Sequence, residues 1–321
     1  MSLETPIKIR MLQRKLYQKA KEEPRYRFYL LYDKMYREDV LAHAYALVKS
    51  NQGAPGVDGQ SFWGIESQGL EEWLSGIRDD LRAKTYQPQA VRRVLIPKPG
   101  GGERPLGIPT IRDRVVQTAA KLLLEPIFEA DFDPNAYGYR PKRSAQDAIQ
   151  KVHKLLCDGY ADVVDADLSK YFDTIPHSEL MQCVARRIVD RDMLRLIKMW
   201  LKVPVEERDE NGKPRVSGGK GSRRGTPQGG VMTPRTQKIT SNLSGGWSFC
   251  GIQVRVDVCR IRLYVYDRCR APASRRKSSG SIARATCCCM SSNSPMRSNG
   301  WPRTAPFRRV RPIATSNKLN V

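Results

Sequence analysis

Acidic residues are scarce in this chain and very unevenly spread. Of 321 residues, 33 are Asp or Glu against 56 Lys or Arg, a formal net charge of +23 with a pI near 9.9. So cationic a surface lowers its electrostatic energy by releasing counterions from a polyanion, which makes nucleic acid the natural partner. The shortage is sharpest in residues 234–321. Seventeen Lys/Arg face only Asp257 and Asp267 there, Glu is absent, and the segment carries +15 while the first 233 residues carry +8. No run of 18 apolar residues occurs, which excludes a membrane-spanning helix. Met1-Ser2-Leu3-Glu4 has no apolar signal region, so a soluble, cytoplasmic protein is expected. Six of the eight cysteines lie in the basic tail, including the adjacent Cys287-Cys288-Cys289. Adjacent cysteines lack the paired spacing of a zinc site, and a cytosolic chain does not rely on disulfides, so neither is expected.

What remains is organised. Hydrophobic residues make up 40% of the chain, enough for a core, and the length could hold two domains. Residues 7–20 and 25–49 have helical spacing, with Pro24 between them. Leu30, Leu31, Met35, Val40, Leu41, Tyr45 and Val48 form one buried face in that pattern. Asn51 to Gly59 is a loop punctuated by glycine. Helical spacing returns over 66–83 through Leu70, Trp73, Leu74, Ile77 and Leu81. Residues 91–96 alternate as a strand whose partner is Arg104 to Ile108 across a Pro99–Gly102 turn, which places Lys98 and Arg104 on either side of the bend. Helices are expected over 111–129 and 144–156, joined by the loop Asn135-Ala136-Tyr137-Gly138-Tyr139-Arg140-Pro141.

The chain then reaches Val163-Val164-Asp165-Ala166-Asp167-Leu168-Ser169-Lys170-Tyr171-Phe172-Asp173. Alternation puts Asp165 and Asp167 on one face of a strand. Carboxylates crowded at a strand end are costly unless cations neutralise them, so a Mg²⁺ anchor fits. An Asp-rich turn leading into a helix that starts near Pro176, with Glu179 in its first turn, fits the same residues. Downstream, Gly225-Thr226-Pro227-Gln228-Gly229-Gly230 removes side chains where backbone must pass close to a ligand.

These two stretches, in this order, resemble catalytic motifs of reverse transcriptases. With Gly53-Ala54-Pro55-Gly56-Val57-Asp58-Gly59 and the run from Ile96 to Pro109, residues 1–233 resemble a group II intron reverse transcriptase/maturase. The resemblance implies an α/β fold of right-hand polymerase fingers plus a partial palm, an antiparallel sheet with helices, followed by a basic, disordered tail. It divides the chain into an N-terminal helical extension (1–60) whose helices touch intron RNA, fingers and partial palm (61–233), and an atypical tail (234–321). Asp167 corresponds to the catalytic, metal-binding carboxylate, Leu168 offers its backbone carbonyl to the same Mg²⁺ site, and Asp165 supports electrostatically. The family uses two such ions. Lys98 and Arg104 correspond to triphosphate contacts, with a solvated basic turn as the alternative. Phe172 corresponds to the ring that excludes a 2′-hydroxyl, a role that rests on the resemblance since a buried Phe after a strand is usually core, and Gln228 corresponds to a residue lining the nucleotide pocket. Arg140 lies on the counterpart of the template path. Lys213, Arg215, Lys220, Arg223 and Arg224 form a basic approach for a phosphate backbone, with a disordered linker as the alternative. The implied partners are group II intron RNA, an RNA template with a DNA primer, and dNTP.

The pattern breaks after Gly230. The family continues with an apolar helix and a Tyr-Ala-Asp-Asp hairpin, whereas this chain reads Val231-Met232-Thr233-Pro234-Arg235-Thr236-Gln237 and has no Asp-Asp pair after residue 80. Tyr264-Val265-Tyr266-Asp267-Arg268 is the nearest approximation, with one carboxylate beside a cation. The expectation is a frameshift or rearrangement near residue 233 and a polymerase-inactive product, the alternatives being an RNA-binding splicing cofactor without catalysis or a decayed product without function. An Arg/Ser/Cys/Pro-rich tail with no sustained period beyond 252–266 buries too little apolar surface to offset its ordering entropy.

Overall fold

The computed structural model describes residues 3–97, 101–160, 162–164, 171–208, 213–219, 221–226, 230–231 and 264–266. Helices α1 (Ile7–Glu22), α2 (Tyr32–Met35), α3 (Glu38–Ser50) and α4 (Phe62–Arg82) precede the hairpin β1 (Val91–Pro97) and β2 (Glu103–Ile108). Then follow α5 (Ile111–Glu129), α6 (Ala145–Cys157), β3 (Asp162–Val164), α7 (Tyr171–Thr174), α8 (His177–Ala185), α9 (Arg191–Leu201), β4 (Pro204–Arg208), β5 (Pro214–Gly218) and β6 (Tyr264–Tyr266).

Helix α5 is the axis of the helical layer. Thr110 caps it by accepting from the Asp113 N–H at 3.1 Å, and most of its 19 residues are buried. Helices α1, α2, α3 and α4 all pack against it. One continuous apolar cluster runs from Ile9 and Leu16 on α1 through Val40 and Leu41 on α3 and Leu123 and Ile127 on α5 to Leu180, Ile188 and Trp200. The N-terminal helices therefore share their core with the rest of the domain.

The helix expected over 25–49 is split, and the cause is tertiary. Phe28 pairs in parallel with Ile188: its N–H donates to the Arg187 carbonyl at 2.7 Å, and the Val189 N–H donates back at 2.8 Å. Asp190 then accepts from the N–H groups of Leu31 and Tyr32, both at 2.8 Å, while its other oxygen caps α9. Strand-like pairing satisfies backbone groups that a helix would have used internally. Leu30 consequently faces solvent at 60% exposure, whereas its expected companions from Leu31 to Val48 are buried.

Arg187 closes the same region. Its side chain is 4% exposed, donates to the carbonyls of Ala20, Glu23, Pro24 and Tyr26, and lies 3.0 Å from the Asp131 carboxylate as an ion pair. Burial pushes the Asp131 carboxyl up, and Arg187 opposes that shift.

The larger sheet has the order β2-β1-β4-β5. The β1/β2 and β4/β5 pairs are antiparallel, and the expected antiparallel sheet gains one parallel join, Val91↔Val205 and Arg92↔Glu206. β4 and β5, the latter carrying part of the expected basic approach, therefore extend the sheet of β1 and β2. A second, two-stranded sheet pairs β3 with β6, Asp162↔Tyr266 to Val164↔Tyr264. The expectation of a disordered tail otherwise falls outside the described residues. No helix among the described residues is long and apolar enough to cross a membrane.

Candidate functional site

The two glycine- and aspartate-bearing motifs meet in space. The Gly225 N–H donates to the Ile175 carbonyl at 2.9 Å, the His177 N–H donates to the Arg223 carbonyl at 3.0 Å, and Pro176 bridges Arg224 in antiparallel fashion. Residues 175–177, just past the Asp-rich stretch, are thus stitched to residues 223–225 at the mouth of the glycine-rich loop. The His177 side chain adds a bond of 2.6 Å between Nε2 and the Gly225 carbonyl. A carbonyl only accepts, so Nε2 carries the proton. The approach is close enough to specify glycine: Gly225 has φ +86, and a Cβ there would lie 3.1 Å from the Asp173 carbonyl oxygen. Thr226 is buried beyond it.

A second constellation roots the fingers hairpin. Asp113, 2% exposed, accepts from the Tyr86 hydroxyl at 2.6 Å, the Thr110 hydroxyl at 2.8 Å and the Gln89 N–H at 3.0 Å, just ahead of β1. Trp200 Nε1 donates to the Tyr86 oxygen at 3.3 Å, tying α9 to the same point. Burial pushes the Asp113 carboxyl up against these hydrogen bonds and pushes the Tyr86 phenol well above its ordinary value. The loop preceding this region is held by close contact. A Cβ on Gly56 would fall 2.6 Å from the Thr110 Cα, and one on Gly53 would collide with the Arg114 guanidinium, which itself donates to the Ala54 carbonyl at 2.8 Å.

Several expected site residues, Asp167, Leu168, Lys98, Gln228 and Lys220, lie outside the described residues. Phe172 is placed by its backbone in α7. Arg104 is exposed on β2, paired in register with Ile96 at the end of the hairpin. Lys213 and Arg215 are exposed at the β4/β5 hairpin, and Arg223 and Arg224 are exposed on the seam itself. Their backbones take part in the joint while their side chains face outward.

Arg140 is placed differently from its expected course along a template. Its side chain is 7% exposed, donates to the Glu129 carboxylate through Nε and an Nη at 2.8 and 2.6 Å, and spends the remaining Nη on the carbonyls of Asp133 and Ala136. Those bonds engage every nitrogen of the guanidinium in holding the 133–140 loop to the end of α5. Tyr139, 48% exposed at φ +51, faces solvent from this loop.

In the β3/β6 register Tyr266 pairs with Asp162 and Tyr264 with Val164, while Asp165, Asp167 and Asp267 lie outside the described residues. Among the described residues no group of three His, Cys, Asp or Glu is placed to hold a metal ion.

Sequence reasoning missed the Tyr86–Asp113 anchor and the His177 clamp. Thr110-x-x-Asp113 before an apolar run is a capping signal that could have revealed the first. Nothing local marks the second, because its partner lies 48 residues away.

Comparison with known proteins gives this arrangement its class. Residues 96–248 match the family model described as reverse transcriptase (RNA-dependent DNA polymerase), a span that runs past residue 233. The fold is accordingly that of polymerase fingers and the first part of a palm. Protein YkfC of Escherichia coli K12 is 39% identical over 237 residues, covering 72% of this chain and 60% of that protein. Group II intron-encoded protein LtrA of Lactococcus lactis subsp. cremoris is 32% identical over 215 residues, 66% of this chain and 34% of that protein. Nuclear intron maturase 1 of Arabidopsis thaliana is 33% identical over 94 residues, 29% and 13% respectively. Over this span the chain is similar to reverse transcriptases and to group II intron-encoded proteins, and it spans less than two thirds of the length of these relatives.

Proposed function

We propose that this chain keeps the template-approach and nucleotide-approach half of a group II intron RNA-directed DNA polymerase and does not itself polymerise DNA. The observation that carries the first part is the seam between residues 175–177 and 223–225, since both motifs must share one site for their chemistry to matter. In this reading Lys98 and Arg104 neutralise the triphosphate of an incoming dNTP, Phe172 excludes a 2′-hydroxyl, and Gln228 lines the pocket. Lys213, Arg215, Lys220, Arg223 and Arg224 receive the phosphate backbone of an RNA template and its DNA primer. In this reading the chain resides in the cytoplasm, alongside the parent intron RNA whose splicing the family assists.

Bound Mg²⁺ would lower the pKa of a primer hydroxyl and offset charge on the phosphates. Asp167 and the Leu168 carbonyl are the donors the chain offers, with Asp165 in electrostatic support. The residues fit only half of a two-ion site: no Asp-Asp pair follows residue 80, and Tyr264-Val265-Tyr266-Asp267-Arg268 offers one carboxylate beside a cation. No step through a second ion is derived.

Primer extension on an RNA template with Mg²⁺ tests the proposal. The expected result is no extension, unchanged in Asp167→Asn, and robust extension abolished by Asp167→Asn would overturn it. Tighter binding to a structured group II intron RNA than to random RNA, falling with salt, is the outcome expected if the splicing role persists without catalysis.

A further inference from the structure

We infer that the outer face of α9 is a docking surface for the phosphate backbone of an RNA duplex, formed by residues other than those assigned above to template and primer. The choice of RNA over DNA rests on the function proposed above, whereas the phosphate-binding character of the face rests on charge and geometry alone.

Helix α9 divides sharply between two faces. Met193, Leu196, Ile197, Trp200 and Leu201 are all buried on one side. Opposite them stand Arg191, Arg195, Lys198 and, at the C-cap, Lys202. Spacings of four, three and four residues keep these cations within a stripe about 60° wide and about 16 Å long. The first three are exposed and Lys202 is partly so. Neither acid of the neighbourhood neutralises the row. Asp190 is engaged by the N–H groups of Leu31, Tyr32, Asp192 and Met193, and Asp192 pairs with Lys84 at 2.5 Å. Among the described residues none of the four cations forms an ion pair.

Such a row is unfavourable in isolation. Like charges three and four residues apart destabilise a helix. The helix dipole welcomes Lys198 and Lys202 near the C-terminal end but opposes Arg191 in the first turn. A polyanion lying along the face would reverse both effects and release counterions as it binds. The dimensions agree, since about 16 Å of duplex carries about five phosphates on each strand, so the cations meet one strand nearly one for one. No large apolar side chain on α9 is exposed, which leaves a protein partner without an anchor to bury. No aromatic ring lies on the stripe, which leaves unpaired bases nothing to stack on. Backbone contact with a duplex is what this surface can offer.

Lysine footprinting and salt-dependent binding on the full chain test the surface, with an RNA duplex of about 16 base pairs as the probe. Acetylation of Lys198 and Lys202 should slow about fivefold or more when the duplex binds, while exposed Lys142 and Lys154 react at an unchanged rate. Arg191→Gln, Arg195→Gln, Lys198→Gln and Lys202→Gln combined should weaken binding about tenfold to a hundredfold at about 0.1 M salt. The slope of log affinity against log salt should become shallower by about 3 in that variant, with the urea midpoint unmoved because the apolar face is untouched. Arg191→Lys with Arg195→Lys keeps the charges and should keep the slope. Unprotected Lys198 and Lys202, equal protection of Lys142 and Lys154, or an unchanged slope in the fourfold variant would overturn the proposal. Should that variant fail to fold, Lys198→Gln with Lys202→Gln decides the matter, its slope changing by about half as much. A DNA duplex of the same length giving equal affinity and the same footprint would overturn the choice of RNA and leave a phosphate-binding face standing. Polyglutamate giving that footprint at equal charge concentration would overturn phosphate recognition itself. Primer extension is read independently of this footprint, so the two readings fail separately.

Discussion

Helices α5 and α6 carry comparable shares of apolar side chains, yet α5 is enclosed on nearly every side while α6 has no buried residue. Helix α5 has apolar residues around most of its circumference and is gripped by α1, α2, α3 and α4. Helix α6 gathers its apolar residues into a narrow stripe and is well capped by a Ser144–Asp147 capping box, but Ile149 and Leu156 on that stripe are about half exposed. Amphipathicity records the surface a helix is shaped to meet, and burial records what meets it. The contrast is local to α6: the closed helical layer continues through α8 and α9, whereas α6 leaves an apolar face uncovered among the described residues.

The sharpest way to break that contrast is to attack the closed layer at its charged centre. Arg187→Ala should cost about 3–5 kcal/mol in urea unfolding, because it strands the half-buried Asp131 carboxylate and several carbonyls together. A loss below about 1 kcal/mol would show that the layer does not depend on this joint. Matched truncations then compare the helices directly. Leu123→Ala in α5 should cost about 2–5 kcal/mol, whereas Leu156→Ala in α6 should stay within about 0.5 kcal/mol. Equal losses would mean that α6 has a covering partner in solution.

The smallest effect concerns pH and His43 on α3. It is 5% exposed with Nε2 unpartnered, and burial holds its pKa below the ordinary value of 6.5. Between the folded and unfolded pKa the folded state binds fewer protons, so this contribution is present above about pH 6.5 and is lost as pH falls through the folded value. Thermal midpoints measured downward from pH 7 should decline less steeply in His43→Leu than in the unsubstituted chain. Parallel curves would show that His43 charges freely within the fold.

Local pattern made much of this architecture readable. Helix α5 spans the stretch expected from its apolar spacing, the β1/β2 hairpin falls about its glycine-rich bend, and Pro176 opens α8 with Glu179 in its first turn. The failures share one cause. Residues 25–31 have helical spacing but pair with Ile188 and Asp190, and Arg140 sits in a loop suggestive of nucleic acid but turns inward to Glu129. In each case the deciding partner is brought near only by folding.

The order and identity of the motifs, the cationic balance and the absence of a second aspartate pair are written in the chain itself, since each depends on residue type and spacing alone. That residues just past the Asp-rich stretch join the mouth of the glycine-rich loop in one seam, that a histidine bonds across it, and that β3 pairs with β6 are matters of tertiary structure. Hydrogen bonds and strand registers between residues about fifty to a hundred positions apart form only when the intervening chain has packed, and no local spacing encodes them.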